Sequence, residues 1–246
     1  MTPYYSDEWL TIYHGDCRDI LPLLPAESVT LLWTDPPYGH GNHAGDFNAR
    51  LNEHRGIENR PIANDGASEM REVVDEMLKL SVPLLRPDCC CCCCCCGGGG
   101  PRPTFAWLAE RMDRDGLSFF HSVIWDKVNP GLGWRYRRQH EMVMVSHREG
   151  GKLAWAEGQG AVSNVVSLSA PRQRLHPNEK PLGLVTGFVA RHSAPGDLVL
   201  DPFMGAGTTL VAAKSLGRRA IGIELDEAFC EIAARQASQE SLGLAA

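Results

Sequence analysis

The chain has 246 residues, 43% of them hydrophobic and 22% charged, and a net charge of −6. That apolar content at so modest a charge excludes wholesale disorder and suits a globular α/β protein of one or two domains. No stretch approaches the roughly 20 consecutive apolar residues of a membrane helix, and the first ten residues carry acids without a basic segment, so a cytoplasmic protein without a secretory signal is expected.

Along the chain, short apolar runs alternate with amphipathic segments, the pattern of a mostly parallel sheet flanked by helices. A strand is expected at 11–13, followed by His14-Gly15-Asp16-Cys17. The apolar run at 29–34 predicts a second strand and leads straight into Asp35-Pro36-Pro37-Tyr38. Residues 39–67 hold asparagines, glycines and charges without a period, and a loop this long is functional or unstructured. A helix at 68–81 then precedes eight consecutive cysteines, Cys89 to Cys96; the remaining two are Cys17 and Cys230. Disulfide frameworks and zinc sites separate their cysteines by loops, whereas an extended run points alternate thiols to opposite faces. The expectation is a buried central strand packed with small soft side chains, with metal binding or redox chemistry as the alternative.

Four glycines at 97–100 form a loop before a helix at 104–112. Strands at 119–126 and 141–147 flank a Gly-, Trp- and Arg-rich stretch at 130–138. A helix at 182–192, a strand at 197–200, a helix at 208–216, a strand at 220–224 and a helix at 227–239 complete the reading. Gly217 sits where a helix C-terminal glycine belongs. An antiparallel strand is expected toward the C-terminal side. Both long loops follow apolar strands, where an α/β sheet presents its ligand-binding edge.

Two segments carry chemistry. In Asp35-Pro36-Pro37-Tyr38 the prolines fix an extended path and remove two backbone donors, leaving carbonyls free. Asp35 and the Pro36 carbonyl are placed to accept the two hydrogens of an exocyclic amine, which draws the nitrogen lone pair out of conjugation and makes it nucleophilic. Tyr38 offers a flat face for stacking. Alone, the segment reads equally well as a rigid turn.

The second segment, Asp201-Pro202-Phe203-Met204-Gly205-Ala206-Gly207-Thr208-Thr209, joins a strand to a helix, and its glycines permit a tight turn and close backbone approach. Glu224 ends the next strand, 23 positions after Asp201, where an acid accepts hydrogen bonds from ribose hydroxyls. A ribose-bearing cofactor follows. A dinucleotide wants a third glycine where Leu210 stands, which weakens a nicotinamide-dependent oxidoreductase reading. That rival also leaves Asp35 to Tyr38 unexplained.

Together these residues resemble the S-adenosylmethionine-dependent DNA amino-methyltransferases, which methylate adenine N6 or cytosine N4. Asp35-Pro36-Pro37-Tyr38 looks like their catalytic motif, and Asp201 to Thr209 like their cofactor loop. His176-Pro177-Asn178-Glu179-Lys180-Pro181 and His14-Gly15-Asp16-Cys17 are similar to flanking family segments. The amine-handling motif precedes the cofactor loop, as in the circularly permuted beta class. The resemblance implies a Rossmann-like methyltransferase fold, with residues 1–246 forming one methyltransferase domain and recognition loops at about 39–67 and 127–175.

It further implies S-adenosylmethionine as cofactor, double-stranded DNA as partner and no metal. Asp35, Pro36, Pro37 and Tyr38 would hold a flipped base. Asp201, Pro202, Phe203, Gly205 and Gly207 would line the cofactor, Glu224 bind its ribose and Asp16 its adenine amine. Lys180, with Thr208 or Thr209, would lie near the methionine carboxylate. An aspartate opening the motif favours adenine N6 over cytosine N4. RNA as substrate and a non-catalytic DNA-binding relative stay open.

The net charge of −6 sits poorly with DNA binding, but its distribution is uneven. Residues 127–152 carry six basic and two acidic side chains. Trp134-Arg135-Tyr136-Arg137-Arg138 interleaves aromatic and basic groups as a nucleic-acid surface does, making Arg135, Arg137 and Arg138 the candidate phosphate contacts. Arg172, Arg174 and Lys180 form a second basic patch.

Overall fold

The computed structural model describes residues 2–39, 63–64, 66–96, 104–131, 135–171 and 179–243. Ten strands among them form one sheet: β1 (Tyr5–Ser6), β2 (Leu10–His14), β3 (Val29–Thr34), β4 (Leu85–Cys96), β5 (Leu117–Asp126), β6 (His140–Arg148), β7 (Lys152–Leu153), β8 (Val165–Ser167), β9 (Leu198–Asp201) and β10 (Arg219–Glu224). The helices are α1 (Cys17–Ile20), α2 (Ala67–Ser81), α3 (Thr104–Arg111), α4 (Leu182–His192), α5 (Thr208–Ser215) and α6 (Glu227–Gly243).

The spatial order is β1-β2-β10-β9-β3-β4-β6-β5-β8, with β7 pairing β4. Strands β2, β10, β9, β3 and β4 run parallel. The reversed strand expected toward the C-terminal side is instead β6, inserted between β4 and β5 in mid-chain; the short β1 also runs antiparallel to β2. The β5–β6 connection folds back as a hairpin, which forces that reversal locally. The elements β1, α1, β7 and β8, of two to four residues each, give too short a period to be legible in sequence.

Helices cover both faces, so the parallel strands read as continuous apolar runs. All six residues of β3 are buried. The cysteine run lies in β4 and divides between the two layers. Cys90, Cys92 and Cys94 pack with Trp33, Val143, Val145, Leu184 and Phe188 beneath α4 and α5. Cys89, Cys91, Cys93 and Cys95 pack with Met70, Val74, Met77 and Leu108 beneath α2 and α3. The donor atoms of Cys90, Cys92 and His192 lie within 4.8 Å of one another.

Burial pushes Cys89 up to about 11 and Cys92, Cys93 and Cys94 well above the usual thiol range. Thiolates do the nucleophilic work, so these side chains are expected to be inert in the native state. Treated with an aromatic disulfide reagent at pH 8, Cys89 to Cys95 of the native protein should react only at its unfolding rate, as peptide mapping of the labelled sites would read. A fast burst at any of these seven would contradict this packing. Alternate Cys→Val replacements should retain the native fold, and loss of a bound zinc ion on substitution would show that the run does more than pack.

Candidate active site

In a parallel sheet the carboxyl ends of neighbouring strands share one edge. Register brings Glu224 beside His14, Asp201 beside Gly222, and Leu32 beside Leu200. The segments that follow β2, β3, β9 and β10 therefore converge. They wall a cleft of about 460 Å³ lined by Asp16, Asp35, Lys180, Asp201, Phe203 and Glu224. Pro36, Pro37, Pro202, Gly205, Thr208 and Thr209 also border it. Residues far apart in sequence thus meet around one cleft.

Beyond β3, Asp35 and Tyr38 sit in a buried charge cluster. The Tyr38 hydroxyl donates to Asp35 Oδ1 at close range. Lys180 Nζ donates to Asp35 Oδ2 at 2.5 Å and to the Tyr38 oxygen at 2.6 Å. It also lies 3.3 Å from Glu141 Oε2. Glu141 in turn holds Lys127 Nζ at 2.9 Å. Burial pushes Asp35 upward; Lys180 opposes this and Glu141 adds to it. Burial alone would lower Lys180, but the charges of Asp35 and Glu141 outweigh it and keep the ammonium protonated. Glu141 is held low by Lys180 and Lys127 against its own burial.

Lys180 lines the same cleft as Thr208 and Thr209, with its ammonium bonded to Asp35 and Tyr38. Its Nζ also lies 5.1 Å from the centre of the Tyr38 ring. Glu141 and Lys127 are site residues that sequence reasoning missed. Residue 141 is more than a hundred positions from Asp35, and only the insertion of β6 beside β4 brings it to the strand ends; no local pattern announces it.

On the other side of the cleft, Asp201 accepts Thr209 Oγ1 at 2.5 Å and the Phe203 amide at 3.1 Å, neither of them charged. Burial raises its carboxyl to about 7. Glu224 Oε2 accepts the Gly205 amide and Oε1 the Asp226 amide, each at 2.9 Å, so this acid clamps the glycine loop to the turn after β10. Gly205 adopts φ 51°, a left-handed conformation suited to glycine.

Gly207 does not line the cleft. It has φ 90° and abuts α6, where an added Cβ would meet Ala233 Cβ at 2.8 Å. Its role is close packing of the loop on that helix, a correction to its expected place beside the cofactor.

Asp16 caps α1 by accepting the Arg18 amide at 2.9 Å and pairs with the Arg18 guanidinium at 2.7 Å. Arg18 accordingly holds its carboxyl below the usual range. A cleft-lining carboxylate and a helix cap are the same residue here.

The basic stretch divides. Lys127 braces Glu141, and Arg148 binds Glu27 and the Leu85 carbonyl at the far end of β4. Arg135, Arg137 and Arg138 remain exposed near the cleft end of β6, with Arg137 donating to the carbonyls of Gly131 and Pro130. Trp134, Arg172, Arg174, residues 176–178 and most of the expected recognition loop, 40–62, lie outside the described residues.

The cleft's size lies within the about 300–1,000 Å³ of small-molecule sites, and the carboxyl groups of Asp16, Asp201 and Glu224 on its wall suit a ligand that carries positive charge. A family model described as DNA methylase matches residues 29–235. Type II methyltransferase M2.DpnII of Streptococcus pneumoniae is 24% identical over 97% of this chain and 93% of its own length. Among solved structures, the M1.HpyAVI–SAM complex superposes with a TM-score of 0.67 at 24% identity, covering 93% of this chain and 99% of that one. The cytosine-N4-specific PvuII DNA methyltransferase gives 0.69 at 19% identity, covering 96% and 95%. At these identities the structural likeness is one of fold.

Proposed function

The chain belongs to the DNA methylase family, and we propose that it transfers a methyl group from S-adenosylmethionine to an exocyclic amine of a base in double-stranded DNA, adenine N6 in the first place. The observation that carries this reading is the meeting of Asp35, Pro36 and Pro37 with Asp201 and Glu224 around one cleft, with the buried Tyr38 bonded to Asp35 from behind rather than presenting its ring to the cleft. The aspartate opening the catalytic motif supports adenine, while its chemistry serves the cytosine amine as well.

When bound, the cofactor supplies an electrophilic sulfonium methyl. Asp201, Phe203, Gly205, Thr208 and Glu224 would hold it, and the site's main tasks are position and electrostatics. The target base leaves the duplex at a cost of a few kcal/mol in stacking and pairing. Asp35 and the Pro36 carbonyl accept its amine hydrogens and aim the nitrogen lone pair at the methyl. The carbon–nitrogen bond forms as the carbon–sulfur bond breaks, and the amine proton passes to Asp35.

Transfer of label from methyl-tritiated S-adenosylmethionine to unmethylated genomic DNA, followed by nucleoside mass analysis, tests the reading. N6-methyladenine is the expected product. N4-methylcytosine would keep the mechanism and reverse the base, and label in RNA alone would replace the substrate.

Arg135, Arg137 and Arg138 are proposed to contact phosphates. Each lost phosphate contact reduces the slope of log affinity against log salt by about 0.9. The triple alanine variant should therefore bind DNA more weakly, with a slope shallower by roughly 2–3. An unchanged slope in filter binding across 50–200 mM salt, the range of about fourfold that best resolves it, would move the interface elsewhere.

A further inference from the structure

The carboxylate assigned to grip the target amine is already gripped. Asp35 Oδ2 receives Lys180 Nζ at 2.5 Å, and Oδ1 receives the Tyr38 hydroxyl. Each oxygen keeps a free lone pair toward the cleft, but while the ammonium holds the carboxylate's charge an entering amine meets a weakened acceptor and a weakened base. Lys180 is 6% exposed, so withdrawal into bulk water is not open to it, and a buried ammonium needs an anionic partner at every position it visits. Glu141 stands 3.3 Å from the same Nζ, 13% exposed, with its other oxygen tied to Lys127 at 2.9 Å. That second tie keeps Glu141 ionised and fixed on β6.

We propose that Glu141 is a positioning residue that receives Lys180 when the target amine enters, so that the ammonium passes from Asp35 to Glu141 and frees Asp35 to accept the amine hydrogens. This rests on the methyltransferase reading and deepens it. Three consequences follow from the charges. With Lys180 on Asp35 the site is closed and internally neutralised, which shields Asp35 from solvent cations before a base arrives. With Lys180 on Glu141, Asp35 faces the amine with only the neutral Tyr38 hydroxyl still donating to it, and its burial favours taking the proton once the nitrogen becomes positive. When that proton leaves, the ionised Asp35 recaptures Lys180 and helps expel the methylated base.

Neither Lys180 nor Glu141 touches the transferring methyl in this scheme. Their effect on rate therefore runs through the state of Asp35. The charged and titratable groups that face this cluster are Asp35 and Tyr38 after β3, Cys94 on β4, Lys127 after β5, Asp201 at the end of β9, and Lys180 before α4.

The variant Glu141→Gln keeps the side chain's size and an acceptor oxygen but loses the charge that would hold the ammonium. Single-turnover transfer to an unmethylated duplex that the wild type modifies should slow by roughly 10²-fold, within the span of lost acid–base function. Cofactor affinity should stay near wild type, while the melting temperature should fall because a buried partner of two ammonium groups is lost. Glu141→Asp, which keeps the charge, should recover most of the rate. In Lys127→Met the Glu141 carboxyl rises, so the acid limb of the pH–rate profile should move to higher pH; this variant serves even if Glu141→Gln folds poorly.

Wild-type rates in Glu141→Gln, equal impairment of the Gln and Asp variants, or an unmoved acid limb in Lys127→Met would each overturn the hand-over while leaving the methyltransferase reading intact. A wild-type protein that transfers no label to any nucleic acid would overturn both.

Discussion

Alanine at Asp35 is expected to lower methyl transfer by about three orders of magnitude while leaving cofactor affinity within about twofold. The loss is large because one carboxylate performs two tasks in the proposed mechanism. It accepts an amine hydrogen, which localises the nitrogen lone pair, and it takes the proton afterwards. Removing it should not collapse the site: Lys180 keeps the Tyr38 oxygen at 2.6 Å and Glu141 at 3.3 Å, so the ammonium is not left buried without an anion. Asp35→Asn separates the tasks. It retains an acceptor oxygen but not the base, and should fall between alanine and wild type. Single-turnover kinetics alongside calorimetric cofactor titration read both quantities. Activity of the alanine variant within tenfold of wild type would remove Asp35 from the chemistry.

How much of this was legible before folding depends on the range over which each residue acts. Asp35 and Asp201 each close an apolar run, and strand ends are where an α/β sheet offers a site, so both could be read from neighbours in sequence. Residues 182–192 were readable for the same local reason, and the helix falls on those positions. The alternating thiols of β4 follow from strand periodicity alone, and the two layers divide them as expected.

What local sequence does not announce has a different origin. The resemblance places Lys180 with the cofactor loop, and in the fold it lines that cleft while its ammonium also reaches the cluster after β3. Its destination depends on Glu141, and Glu141 depends on β6 running antiparallel between β4 and β5. That insertion is a pairing choice over long sequence separation, to which composition and period are blind. Gly207 misled for a subtler reason: a glycine in a cofactor-like loop can serve ligand approach or helix packing, and only the distance to Ala233 tells which. The count of basic residues at 127–152 likewise hid two ends of a sheet, because Lys127 and Arg148 sit at opposite ends of the region spanned by β4.

Cofactor affinity is expected to rise with pH up to about 7 and level off above it, with the Asp201 carboxyl as the cause. Burial raises that carboxyl to about 7, against hydrogen bonds from Thr209 and the Phe203 amide that favour its ionised form. S-adenosylmethionine carries one net positive charge, from a sulfonium, an ammonium and a carboxylate, and so favours the ionised acid. Binding below pH 7 must then expel a proton, which weakens affinity by up to tenfold per pH unit, or about 100-fold between pH 7 and 5. Calorimetry at pH 6 in two buffers of different ionisation enthalpy should count close to one proton released per cofactor. Asp201→Asn should bind more weakly at pH 8 and lose the pH dependence. Folding supplies a second reading of the same group. The native state binds this proton more tightly than the unfolded chain, whose carboxyl has the ordinary value of 3.8. This group's contribution to the stability of the cofactor-free protein therefore falls as pH rises from about 4 to 7 and is constant outside that window. Melting temperatures at pH 5 and 8 should diverge less in Asp201→Asn than in wild type. No proton release at pH 6, together with parallel melting profiles, would mean that Asp201 is ionised in the free protein and that the cation-seeking side of the cleft lies elsewhere.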